Sequence, residues 1–246
     1  MQAIIMAAGK GRRLGRFSDS QPKSFMEIKG VPLIDYNIAL LRSVGVNDII
    51  IVTGYQYALF EHKYGSKEFI ELIYNPFYEY ANVIGSFWAG MHLLHGEFIF
   101  AHADSICDIG IISDLAAATS DIVLPVDFAA YDDEAMGVRC VNGMAVEINK
   151  KIPIGSEETG EFIGYVKISK NMLPHVKEEV INLLKQNEHA EYFEASIQKL
   201  MDKQKYDIAT LSTNGRFWAE IDFIEDYEKA IREIPDSLVE LARALS

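Results

Sequence analysis

The sequence predicts an α/β fold: a mixed, mostly parallel sheet flanked by helices, with a small antiparallel lid-like insertion. Three observations carry this expectation. Short apolar runs rich in β-branched residues alternate with stretches of helical spacing over the first half of the chain. The rhythm changes after about residue 128 to short strands separated by turn residues. The final third returns to amphipathic helical patterns.

In order, "AIIMAA" from residue 3 reads as a buried strand ending at Gly9. "PLIDYNIALLRSVG" has helical spacing, with Pro32 at its start and Gly45 at its stop. "DIIIVTGY" and "FIELIYN" are the next strands. "NVIGSFWAGMHLLHG" reads as a helix that Asn82 can cap and Gly96 ends. "EFIFAHAD" and "DIVLPVDF" are further buried strands. "GVRCVNG", "MAVEINK" and "EFIGYVKIS" make up the antiparallel insertion, roughly 128–169. Helical stretches follow near 170–187 and 190–203, then strands in "YDIATLS" and "GRFWAEID", and helices in "DFIEDYEKAIREI" and "PDSLVELARALS". With no repeat, low-complexity tract or linker, residues 1–246 are expected to form one domain.

Composition narrows the function classes. The 23 Lys and Arg face 36 Asp and Glu, a formal net charge of -13, which repels nucleic acid and anionic membrane surfaces. Arginines near the N-terminus oppose that trend and suit a local anionic ligand. Cys107 and Cys140 are too few for a disulfide framework and fit a reducing cytosol. No targeting segment or bilayer-length apolar run is evident, so a cytoplasmic protein is expected.

The opening "AIIMAAGKGRRLG", followed by "QPKSF", is a strand, a glycine-rich turn, two arginines and a lysine after a proline. A Walker A loop needs a spacing this chain lacks. The dinucleotide fingerprint needs a glycine where Leu14 stands, and its ribose-binding acid is absent after "IIIVTGY". What remains suits phosphate: Gly9 and Gly11 let backbone N–H groups approach an anion, Arg13 offers a planar fork, and Lys23 a point charge. A plain β-to-α turn with solvated cations would use the same residues.

"MAAGKGRRLG" followed by "PKSFMEIKGVPLIDY" resembles the nucleotidyltransferases that join sugar-1-phosphates and related phosphorylated small molecules to NTPs. The resemblance implies a Rossmann-like mixed α/β sheet. It also implies that Ala8, Gly9, Gly11 and Arg13 hold the triphosphate, and that Lys23, with Arg13, acts on the reacting phosphates. Arg12 stands where the family usually has Ser or Thr. Nucleotidyl transfer also calls for carboxylate-held Mg²⁺. "FIFAHAD" supplies Asp104 at a strand end, and "FWAEID" supplies Asp222, with Glu220 on the same face two residues earlier. The family places metal-binding aspartates at both points, so Asp104 and Asp222 are the expected ligands. Asp222 could instead cap the helix that follows. His102 carries no family role; it could bond a metal-bound water or the substrate phosphate, or pack as a satisfied ring.

"NPFYEYANVIGSFWAG" is similar to the choline-phosphate and phosphonate cytidylyltransferase branch, which implies CTP. Asn82 and Ser86, one helical turn apart, could then contact the nucleotide, with a simple N-cap as the other use of Asn82. For the acceptor, Asp132, Asp133 and Glu134 could bind an ammonium head or form a solvated loop. Tyr131, Phe162, Tyr165, Tyr192 and Trp218 could cage a quaternary amine, although core packing is the commoner fate of such aromatics. Phosphocholine, 2-aminoethylphosphonate and a phosphorylated amide or polyol all stay open. The expected reaction is Mg-dependent transfer of CMP from CTP to such an acceptor. The alternatives are a sugar-1-phosphate uridylyl- or thymidylyltransferase and a non-catalytic nucleotide-binding regulatory protein. The resemblance also allows a homo-oligomer.

Overall fold

A computed structural model describes residues 1–11, 13, 21–129, 135–152 and 158–245. Arg12, Tyr131, Asp132, Asp133 and Glu134 lie outside the described residues. The chain runs β1 (Gln2–Ala7), a 3₁₀ turn at Lys23–Phe25, β2 (Glu27–Ile28), β3 (Val31–Pro32), α1 (Leu33–Ser43), β4 (Ile49–Thr53), α2 (Tyr57–Tyr64) and β5 (Ile70–Tyr74). It continues through α3 (Val83–Gly90), β6 (Phe98–His102), β7 (Ser105–Cys107), α4 (Ile109–Ala117), β8 (Ile122–Asp127), β9 (Gly137–Val141) and β10 (Met144–Asn149). The remainder is β11 (Thr159–Phe162), β12 (Tyr165–Ile168), α5 (Leu173–Lys185), α6 (Glu194–Met201), β13 (Ile208–Ser212), β14 (Trp218–Glu220), α7 (Ile224–Glu233) and α8 (Asp236–Leu245).

One ten-stranded sheet orders these as β11-β9-β10-β13-β8-β12-β6-β1-β4-β5. Burial on both faces explains why β1 is apolar without alternation: Ala3, Ile5 and Ala7 join one core cluster while Ile4 and Met6 join the other. The first cluster includes residues of α1, α4 and α8, and the second residues of α3, α5 and α6, so helices cover both faces.

The parallel part is narrower than strand–helix alternation implies. It is confined to β6-β1-β4-β5 and to β8 with β13. β12 enters the sheet centre antiparallel to both β6 and β8. The antiparallel segment expected as a lid is continuous with the sheet: β9 pairs with β10 and β11, and β11 also with β8. The physical reason is burial on both faces of β12. Tyr165 and Val166 point into opposite cores, and Lys167 turns its ammonium to the Ala116 and Ala118 carbonyls at the end of α4.

Two details position the site. Gly164, with φ of +87°, turns the chain into β12 where an added Cβ would lie 2.2 Å from Ser105 Oγ, and its carbonyl accepts from His102 N. β14 pairs with β7 in a separate two-stranded ribbon, setting Glu220 opposite Ser105. Among the described residues no helix is long and apolar enough to cross a membrane.

Candidate active site

The opening strand, its turn and the lysine segment converge on one cavity of about 310 Å³. Its lining includes Gly9, Gly11, Arg13, Lys23, Asp104 and Asp222. Gly11 needs its glycine: φ is +68°, and a Cβ there would sit 2.7 Å from the Lys23 Cβ. The turn is therefore packed onto the stem of Lys23, and that contact aims the ammonium into the cavity.

Lys23 Nζ donates to Asp104 Oδ2 at 2.8 Å and to Asp222 Oδ1 at 2.6 Å. Asp104 lies just past β6, and Ala103 N donates to Met6 O in the neighbouring β1. Asp222 comes from more than a hundred residues later, held because Ile221 N donates to Asp104 O. Arg13 approaches Asp222 Oδ2 at 3.3 Å from a half-exposed position. The capping use of Asp222 is taken by its neighbour: Asp226 Oδ2 accepts from the Asp222 and Phe223 amides at 3.0 and 2.7 Å.

Glu220 completes an acidic cluster. One carboxylate oxygen each from Asp104, Glu220 and Asp222 lie within 4.8 Å of one another. An all-oxygen donor set of three carboxylates suits a hard divalent cation such as Mg²⁺. The electrostatics reflect the crowding. Burial, reinforced by Asp104, pushes the Glu220 carboxyl up to about 8. Burial would raise Asp104 as well, but the charge of Lys23 and then His102 holds it below the usual carboxylate range. Burial opposes the charge on Lys23, yet Asp104 and Asp222 outweigh it and raise its affinity for the proton.

Beside this cluster His102 is partly buried, and its Nε2 donates to Glu194 Oε1 at 2.8 Å. Burial lowers the imidazole, but Glu194 overcomes it and the ring is raised to about 9. His102 and Glu194 line a second, smaller cavity with Phe162, Tyr192, Glu220 and Asp222.

The other expected residues fall elsewhere. Ala8 is buried beneath the turn, its carbonyl accepting from Tyr55 N at 3.1 Å. Asn82 is the N-cap of α3, accepting from Val83 N at 2.8 Å and donating to Ala190 O at 3.0 Å. Ser86 is buried, its hydroxyl accepting from Asn75 Nδ2 at 3.1 Å. Neither lines the loop cavity, because the α3 turn they share packs against β5 and the segment before α6. Of the aromatics, Phe162 and Tyr192 border the smaller cavity, whereas Tyr165 is core and Trp218 donates its indole N–H to Asp127. Glu194 went unnoticed in the sequence, since one glutamate in an amphipathic helix gives no signal of a partner 92 residues away.

The chain is 28% identical to the CTP:phosphoglutamine cytidylyltransferase of Campylobacter jejuni, over 95% of this chain and all of that one. It is 41% identical to the choline-phosphate cytidylyltransferase of Streptococcus pneumoniae over 32% of this chain and 34% of that one. The fold is similar to the solved CTP:phosphocholine cytidylyltransferase of Streptococcus pneumoniae, with a TM-score of 0.75 and 21% identity covering 95% of this chain and 99% of that one. It is also similar to the inositol-1-phosphate CTP transferase of T. maritima, with a TM-score of 0.74 and 20% identity covering 99% of this chain and 95% of that one. Residues 3–176, which carry the glycine turn, Lys23 and Asp104, match the MobA-like NTP transferase domain, and the chain belongs to that family of nucleotidyltransferases.

Proposed function

We propose that the protein transfers CMP from CTP to a small phosphorylated or phosphonate acceptor and releases pyrophosphate. One observation carries the reading: the Lys23 ammonium is held between Asp104 and Asp222 in the cavity that the glycine turn lines. A lysine paired to two acids at the wall of an anion-sized cavity is suited to switch partners when phosphates enter. The relatives whose names specify cytidylyl transfer support CTP as the nucleotide.

The turn amides and Arg13 would bind the triphosphate, with Arg13 presenting its fork to phosphate oxygens. Lys23 would neutralise charge gathering around the α-phosphorus. The acceptor's phosphate or phosphonate oxygen is already an anion at neutral pH, so no protein base is needed. That oxygen forms the new bond to the α-phosphorus, and the bond from the α-phosphorus to the departing pyrophosphate breaks. Asp104, Asp222 and Glu220 are the residues that would hold Mg²⁺, which when bound offsets phosphate charge that Lys23 and Arg13 cannot balance alone. The smaller cavity beside His102 would receive the rest of the acceptor.

Pyrophosphate release in Mg²⁺ is the test, with each NTP against phosphocholine, 2-aminoethylphosphonate, a phosphorylated amide and glucose-1-phosphate. Release from CTP with an amine- or amide-bearing acceptor is expected. Release only from UTP or dTTP with glucose-1-phosphate assigns a sugar-1-phosphate enzyme instead. CTP binding without release from any pair leaves a nucleotide-binding regulatory protein.

A further inference from the structure

The cavity beside the carboxylate cluster holds a buried group with an unmet bonding requirement. This space of about 60 Å³ shares Asp222 with the loop cavity. It shares Met136, Lys150, Tyr192 and Glu194 with a larger groove of about 590 Å³. It therefore lies between the expected nucleotide position and open room for an acceptor's remaining atoms.

Glu194 sits in the first turn of α6 and is 2% exposed. Its Oε1 takes the His102 hydrogen bond, but among the described residues its Oε2 has no partner. Among the described residues the other buried side-chain polar atoms without a partner are hydroxyls of Ser24, Ser105, Ser169 and Tyr206. A carboxylate oxygen loses more than a hydroxyl when it is taken from water unbonded. Asp35 shows what this chain does with a comparably buried acid: one oxygen accepts from Lys63 and the other from the Tyr64 hydroxyl. Glu194 has only half of that arrangement, in a wall of the cavity next to the reacting centre.

We infer that Glu194 Oε2 is the specificity determinant for the acceptor's head group, and that it selects an N–H donor, an amide or a primary ammonium, over a quaternary ammonium. This rests on the cytidylyl-transfer reading. Lys23 and Arg13 in the adjoining loop cavity attract the acceptor's phosphate, which turns that end toward them and the head toward Glu194. A water molecule's share of liquid volume is about 30 Å³, so the space suits a group of two or three heavy atoms. A primary ammonium or an amide fits and donates to Oε2. A trimethylammonium is bulkier and has no N–H, so it would leave Oε2 unbonded while displacing any water that could serve it.

The experiment is kcat/KM with saturating CTP along a series of rising N-methylation, from phosphoethanolamine to phosphocholine, with a phosphorylated hydroxy-amide alongside. The expected result is a fall on the order of tenfold to a hundredfold from the N–H donors to the quaternary member, chiefly in KM. Glu194→Gln keeps an oxygen for His102 and puts an NH₂ where Oε2 stood. In that variant the ratio between primary and quaternary acceptors should fall toward one while CTP affinity is unchanged. A flat wild-type series, a preference for the quaternary member, or an undiminished preference in E194Q overturns the assignment alone. No pyrophosphate with any acceptor overturns the transfer reading and this assignment together.

Discussion

Replacing Lys23 by Met removes the ammonium while keeping most of the stem on which Gly11 packs. Two charge-assisted hydrogen bonds, of 2.8 and 2.6 Å, are lost. Each is worth about 1.5–3 kcal/mol when well buried. The side chains of Asp104 and Asp222 are 27% and 37% exposed, so water takes over part of their solvation. Removing the ammonium also ends its own desolvation cost. The net loss of stability should be about 1–2 kcal/mol, a fall in Tm of roughly 2–8 °C for a chain of this size. Losing a preorganised charge at the transition state costs far more turnover, about 10²–10³-fold in kcat. The two numbers separate the roles. At 25 °C the variant should be fully folded by circular dichroism, bind CTP within about threefold of wild type by calorimetry, and turn over at about 1% or less. Its affinity for Mg²⁺ should rise, because three acids then face one another without the lysine. Unchanged kcat in folded K23M would refute the reasoning and leave Lys23 a structural cation.

Three further outcomes follow from named contacts. Gly11→Ala forces a Cβ into a left-handed backbone and to within 2.7 Å of Lys23, so CTP affinity should fall at least about tenfold with a stability loss of about 1–2 kcal/mol, read by calorimetry and thermal melting. Asp222→Asn keeps the shape but weakens the acidic cluster, so half-maximal activity should need on the order of tenfold more Mg²⁺, while CTP binding in EDTA changes little; an unaltered Mg²⁺ titration would remove Asp222 from the ligand set. Tyr165→Phe removes a hydroxyl that donates to Asn37 Oδ1 and lies 2.8 Å from Ser105 O, leaving a buried amide oxygen without that partner; about 1–3 kcal/mol of stability should be lost in denaturant titration with kcat per folded enzyme retained.

The parts legible in the sequence were those with a local signal. β1 announced itself by an unbroken apolar run into glycines, and Asp104 and Asp222 by standing at the ends of short apolar stretches. The structure brings both acids to Lys23. Less legible was anything decided by pairing between distant segments. Nothing in "YVKI" says that β12 enters the sheet between β6 and β8, because a strand buried on both faces has the same pattern in either direction. Asn82 and Ser86 have the spacing of a shared helical face, but capping of α3 and the bond to Asn75 claim their polar atoms first. His102 could not be assigned without Glu194, and neither residue's own neighbours indicate the other.

The β7–β14 ribbon decides how the two halves of the site meet. Asp222 borders both the loop cavity and the smaller one, and Glu220 faces the same cluster two residues away. Their placement depends on three paired residues, Trp218 with Cys107, Ala219 with Ile106 and Glu220 with Ser105. A slip of one residue would turn both acids to the opposite face and bring Ile221 toward the acidic cluster. Ribbons this short hold register poorly by themselves. The chain supplies the missing constraints at both ends: Trp218 is tied to Asp127 on β8, Ile221 to the Asp104 carbonyl, and Asp226 fixes the start of α7 immediately beyond. Because Asp226 does the capping, Asp222 keeps its own carboxylate for Lys23 and Arg13. The head-group contacts proposed above would arise elsewhere, from β6, β11 and α6, so substitutions at Glu194 are expected to retune the acceptor without disturbing the ribbon that positions the acids.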